Sequence, residues 1–322
     1  MNYRILPVAI LLLAPAMRLG GQSGQVGGPI TGFVFDGSVR ALRPILGIPG
    51  ASTMGAPLDA GLELAWATVA PRQDSAVAMA SDGSLHLLRL GSGVAEVRCA
   101  VCPSTADAAV FSPSGSAVAL YSEGRVQIVT GLPDAPALGA GFEVGSRSRA
   151  TRGPTLAPPL ALSDDGAWLL ASTRDSVDLF SANGGPRQLL AAGAYALVSF
   201  APGGHDAAVA DVRGAALALF HDVAGAATQQ PLAAPDGIQQ AGALAFSADG
   251  RRLLLASAAG QSVAVIDLAS DARTVAACNC APTGLAAMGN VVRLNEPGNG
   301  PLWLLDAMSA GEPRVLFVPP AQ

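Results

Sequence analysis

Lysine is missing from this chain, and all 19 basic residues are Arg. That absence excludes a lysine Schiff base, the P-loop lysine that holds phosphates and a Ser-x-x-Lys nucleophile. Charge of either sign is sparse, at 13% of residues, with a net charge of −5. No basic run neutralises a row of phosphates, so a nucleic-acid partner is not expected. Only three histidines occur, His86, His205 and His221, with no local ligand spacing between them. Metal ligands normally cluster, so these read as scattered polar or packed residues. Neither Gly-x-Ser-x-Gly nor His-Glu-x-x-His is present, which removes the nucleophile elbow and the zincin helix. No catalytic residue, cofactor or resident metal is therefore assigned.

Long apolar runs are also missing after the first residues, so no membrane span is expected in the body of the chain. The start reads as an address. Arg4 precedes an apolar core from Ile5 to Ala16, and small residues follow at Gly20 and Gly21. This is the layout of a secretory signal peptide over 1–21, although Arg18 departs from the usual small neutral c-region. An uncleaved anchor is the alternative, and either form exports the protein to the periplasm, envelope or exterior. Residues 22–28 read as a short linker and 29–322 as one domain, taken to be a monomer.

What is present in quantity is hydrophobic residues, half of the total, cut by 38 Gly and 24 Pro. The pieces repeat. "AVFSPSGSAVALYS", "LALSDDGAWLLAST", "VSFAPGGHDAAVAD" and "ALAFSADGRRLLLAS" each read as strand, polar corner with Gly, strand. A third apolar run follows each ("RVQIVTGL", "SVDLFSA", "AALALFHD", "SVAVIDL"), then a more polar fourth, such as "PRQLLAA" and "RTVAAC". The corner glycines Gly115, Gly166, Gly204 and Gly250 are 51, 38 and 46 residues apart, bracketing the roughly 40–45 residues of a four-stranded propeller blade. The long first gap is assigned to an inserted loop, "GAGFEVGSRSRATRGPTLAPP". Units at 62–90 and 283–307 fit less closely, and the strand-rich stretch before Leu62 has the size of a seventh, degenerate unit. The expectation is an all-β propeller of four-stranded blades, seven in number, with six as the alternative. Pairing of "TGFVFD" with the C-terminal blade would staple the ring shut.

"AFSADGRRLLLAS…SVAVIDL" and "FSPSGSAVALYS" resemble blades of the WD40-like and YVTN-type bacterial β-propellers. The resemblance runs from about Leu62 to the C-terminus. The Gly-His pair of eukaryotic WD40 blades is absent, and the terminal Trp-Asp survives only loosely in "LWLLDA" and "AVIDL". The resemblance implies the fold and an exported bacterial setting. Such propellers include binding scaffolds, lactonases and quinone-dependent dehydrogenases, so it does not select an activity.

Two polar features remain. Cys99 and Cys102 form "CAVC", and Cys278 and Cys280 form "CNC", each where a fourth strand ends. In an oxidising compartment local disulfides are expected, since the pairs belong to separate blades and a bridge needs Cα atoms within about 7 Å. The alternative is four thiolates meeting at the channel mouth around zinc. The Asp-Gly steps Asp82–Gly83, Asp165–Gly166 and Asp249–Gly250, with Gly115 and Gly204, read as turn residues, because Asp accepts backbone hydrogen bonds and Gly supplies positive φ. The leading function is a non-enzymatic exported scaffold for a protein or small ligand. The alternative is a lactonase-like hydrolase or lyase with its site in the central channel.

Overall fold

A strand that hides both faces cannot alternate apolar with polar residues, and reads instead as an unbroken apolar run. Five stretches of this chain do so: β5 (Ser75–Ala80), β9 (Ala117–Ser122), β13 (Trp168–Ser172), β17 (Ala207–Asp211) and β21 (Arg252–Ser257). Nearly every residue in them is buried. The computed structural model describes residues 28–144 and 158–320, save 174, 186, 194, 213–215, 234, 236, 237, 239 and 309–310. The signal-peptide assignment lies outside the described residues, as do the arginines at 147, 149 and 152.

The strands form seven antiparallel sheets, each made of consecutive strands. Blade 1 holds β1 (Ile30–Asp36), β2 (Ala41–Ile48) and β3 (Ala51–Met54). Blade 2 runs β4 (Leu64–Val69), β5, β6 (Leu85–Leu90), β7 (Val94–Val97). Blade 3 is β8 (Ala108–Phe111), β9, β10 (Arg125–Thr130), β11 (Ala137–Glu143). Blade 4 is β12 (Leu160–Leu162), β13, β14 (Ser176–Ser181), β15 (Gln188–Ala192). Blade 5 is β16 (Tyr195–Phe200), β17, β18 (Leu217–His221), β19 (Thr228–Leu232). Blade 6 is β20 (Ala241–Phe246), β21, β22 (Ser262–Asp267), β23 (Arg273–Ala277). Blade 7 is β24 (Ala286–Met288), β25 (Val291–Arg293), β26 (Leu302–Asp306), β27 (Arg314–Val318). The expected seven units are present, and the first has three strands. "GAGFEVG" is no inserted loop, because most of it is the fourth strand β11.

The core is divided into seven apolar layers, one per blade interface. In β5, Ala76 and Ala78 pack towards Phe33 and Leu42 of blade 1, while Val77 and Met79 pack towards Val118 and Leu120 of blade 3. The same alternation continues around the ring. The last layer joins Val34 and Ile45 of blade 1 to Met288, Val291 and Leu304 of blade 7. Among the described residues the strand exchange between chain ends expected from the sequence is not seen: "TGFVFD" lies in β1, which pairs with β2 and not with a strand of blade 7. The ring closes face against face, burying an apolar layer rather than adding one more edge. First strands of neighbouring blades touch one another, as in β12·β16 and β16·β20, and so lie innermost around the channel.

Candidate functional site

Corners between first and second strands meet on one face of the ring. In blades 4 and 6 the buried Ser163 and Ser247 each donate Oγ–H to a corner aspartate, Asp165 or Asp249, at 2.6 Å. Each serine oxygen also accepts a backbone N–H from Trp168 or Arg252, closing the turn. Partial burial pushes both carboxyls up, but hydrogen bonds from the serine and from the backbone outweigh it and leave them below their ordinary 3.8. Gly115, Gly166 and Gly250 take positive φ as the turn requires, and Gly83 does so on the opposite face. In blade 5 the left-handed residue is Gly203, not the expected Gly204. There Ala201 replaces the serine and Gly203 the aspartate, so the side-chain clamp that fixes the later position is absent.

The two aspartates of the blade 4 corner also link neighbouring blades. Asp164 accepts Ser114 N–H of blade 3 at 2.5 Å and Gly203 N–H of blade 5 at 2.7 Å. Asp165 also reaches blade 5, with His205 Nε2 at 2.8 Å. His221 lies between Gln230 and Asp206, whose hydrogen bonds hold its pKa above the ordinary 6.5. Trp66, Trp168 and Trp303 are half-buried at the rims of the blade interfaces.

The cysteines pair locally on the opposite face, where fourth strands cross to the next blade. Cys99 and Cys102 have sulfurs 2.03 Å apart, and Cys278 and Cys280 have theirs 2.18 Å apart. The pairs border different apolar layers, blades 2–3 and 6–7, so four thiolates do not converge on one zinc. Beside the first pair lies a cavity of about 280 Å³ that holds Ser84, His86 and Glu96. Ser84 Oγ is 2.7 Å from His86 Nε2, and His86 Nδ1 is 2.8 Å from Glu96 Oε1, in the order of a catalytic triad. The hydroxyl proton, however, goes to Asp82 Oδ1 at 2.5 Å. Ser84 Oγ is therefore shared between Asp82 and His86, and its hydroxyl is not reserved for the imidazole as in a catalytic triad. The carboxyl of Asp82 is held below its ordinary value chiefly by these Ser84 hydrogen bonds.

The channel shows something the sequence reading missed. Among the described residues, blade 1 has no innermost strand. Its β1–β2 turn lies beside the start of β4: Leu64 N–H donates to Arg40 C=O at 3.1 Å, and Arg40 pairs with Glu63 at 2.6 Å. Glu63 C=O also accepts Ser81 N–H from the second-to-third turn of blade 2. The Arg40 turn is thus a second-to-third turn, which makes β1, β2 and β3 the second, third and fourth strands. Burial agrees: β1 is mostly buried, as β5 is throughout, and β3 is half exposed, closer to a fourth strand such as β11. Where the inner strand would lie there is a cavity of about 490 Å³, bounded by residues 33–35 of β1, 67–69 of β4 and 286–288 of β24. Gln73 Oε1 accepts Phe33 N–H at 2.6 Å, taking the place of a strand carbonyl. Arg293 and Glu296 pair with each other at the cavity wall. A length signal was available, since Ile30 to Gly61 is only 32 residues against roughly 40–45 for a full blade.

Two solved structures illustrate the likeness of fold. A functionally unknown protein from Desulfotomaculum acetoxidans aligns with TM-score 0.57 and 12% identity, over 90% of this chain and 100% of its own. A candidate 6-phosphogluconolactonase from Bacteroides fragilis aligns with TM-score 0.58 and 14% identity, over 90% and 94%. No protein-family model matches the chain, and no curated protein matches it. At such identities the likeness concerns the fold alone.

Proposed function

We propose that the protein is an exported, non-enzymatic β-propeller that binds a protein or small ligand in its central channel. The observation that carries this reading is the make-up of the inner strands. β4, β8, β12, β16, β20 and β24 contain no carboxylate, Arg or His. A lactonase-like site would draw such groups from several blades and aim them at one point. The channel cavity is walled mainly by apolar residues, with Gln73 and the Arg293–Glu296 pair among its polar groups, the usual make-up of a binding pocket. Export is supported by two local cysteine pairs at disulfide distance, and no helix among the described residues is long and apolar enough to cross a membrane. The test is hydrolysis of a panel of lactones and aryl esters by the purified protein. The expected rate equals that of buffer. Saturable turnover that falls in Arg293→Ala would overturn the reading in favour of a channel hydrolase, and turnover that falls in Ser84→Ala would place a hydrolase on blade 2.

A further inference from the structure

We propose that the cavity of blade 1 is a strand-accepting slot, which binds an extended, uncharged peptide segment of another polypeptide as the missing innermost strand. The proposal rests on the binding reading above and names its partner class. Three observations define the slot. First, no strand among the described residues pairs with β1 on the channel side. Pro44 stands opposite Phe33 in β2 and has no N–H to give. The Phe33 N–H points away from β2 into the channel, where it is met by a side-chain amide and not by backbone. Strand addition to such an edge supplies affinity through main-chain hydrogen bonds.

Second, the walls are already formed. The inner strands of blades 2 and 7 flank the space on either side, and the corners of those blades touch behind it, Gly289 N–H donating to Pro71 C=O at 3.0 Å. At its corner end Met288, which lines the cavity, packs closely over the face of Gly32. The accessible edge therefore runs along Phe33–Phe35, room for a short strand like β8 or β24, which are 4 and 3 residues long.

Third, the molecule contains six examples of what fills this place. LAWATV, AAVF, LAL, YALVSF, AGALAF and AAM are small, apolar and free of charge. Arg293 and Glu296 neutralise each other, so the slot presents no net charge to a charged peptide. Of the chain's own residues ahead of Gly28, the nearest, "LGGQSGQVG" (19–27), are a poor match, because Gly is depleted in strands and this stretch has a single β-branched residue.

The probe is the acetylated and amidated hexapeptide Ala-Gly-Ala-Leu-Ala-Phe, titrated into the full exported protein while backbone amide resonances are followed. Saturable binding is expected, with slowed hydrogen exchange at the Phe35 amide. Methylating alternate peptide nitrogens should weaken it at least tenfold, since the donors to β1 are then lost. Gln73→Ala should tighten it several-fold by removing the side chain that competes for Phe33. Equal binding of the methylated peptide would overturn strand addition, as would no binding by either the native protein or Gln73→Ala. Contacts from the backbone of residues 22–27 to Phe35 in the peptide-free protein would also overturn it, by identifying the chain itself as the occupant. None of these outcomes bears on lactone turnover, which tests the binding reading separately.

Discussion

Blade 6 and blade 1 are built from the same kind of strand, yet one is complete and the other is open. In blade 6, Leu253, Leu254 and Leu255 are fully buried between two neighbours and an inner strand. In blade 1, Phe33 and Val34 are buried against both neighbours, but the edge of their strand faces a cavity. The difference teaches that a closed ring does not need every strand of every unit. Each blade is held by two apolar layers, so the layers can carry a sheet whose inner edge is bare. An open stack would have exposed that sheet at its end.

The largest expected effect tests the complete blade. Leu254→Ala should lower unfolding free energy by about 2–5 kcal/mol in urea denaturation, the range for a truncated core leucine that leaves a cavity. A loss below that range would mean that blade 6 packs no better than blade 1. Next comes a matched pair of valines on second strands. Val209 is fully enclosed and Val34 lines the cavity. Val209→Ala is expected to cost about 2 kcal/mol from the methyl groups lost from burial, and Val34→Ala about half of that. Equal costs would break the contrast between the two regions.

The smallest effect concerns the corners, which blade 6 has and blade 1 lacks. The carboxyl of Asp249 is held below its ordinary 3.8 because Ser247 and Arg251 hydrogen bonds outweigh the upward push of partial burial. A depressed folded pKa gives stability that is present above about pH 4 and lost as pH falls through the folded value. Asp249→Asn should therefore be less stable than the parent at pH 7 by about 0.5 kcal/mol, small because the group is solvent-screened. The gap should close as pH falls through the lowered folded value. A gap that widens on acidification would contradict the clamp.

Much of the architecture could be read from the sequence because the corners constrain residue type. Gly115, Gly166 and Gly250 stand at positive φ, a backbone state few other residues adopt without strain, so the unit spacing shows through. The apolar second and third strands were visible for a similar reason, being buried on both faces. Blade 1 was legible only as a degenerate unit. Whether "ITGFVFD" is a first or a second strand depends on which turn lies beside Leu64, a relation between segments far apart in the chain. The shift from Gly204 to Gly203 was hidden because it follows from what Ala201 lacks. The Ser84–His86–Glu96 line was invisible too, since it joins neighbouring strands through side-chain direction.

The bond from Gly289 to Pro71 has one more consequence. In a ring of seven units each blade is tied to two neighbours, but this contact is a chord, linking blades 7 and 2 past blade 1. Blade 1 can thus breathe without the circle parting, because the blades on either side remain linked across it. Exchange of its amides with solvent deuterium would then report an excursion of one blade, with the other six still joined as a single arc.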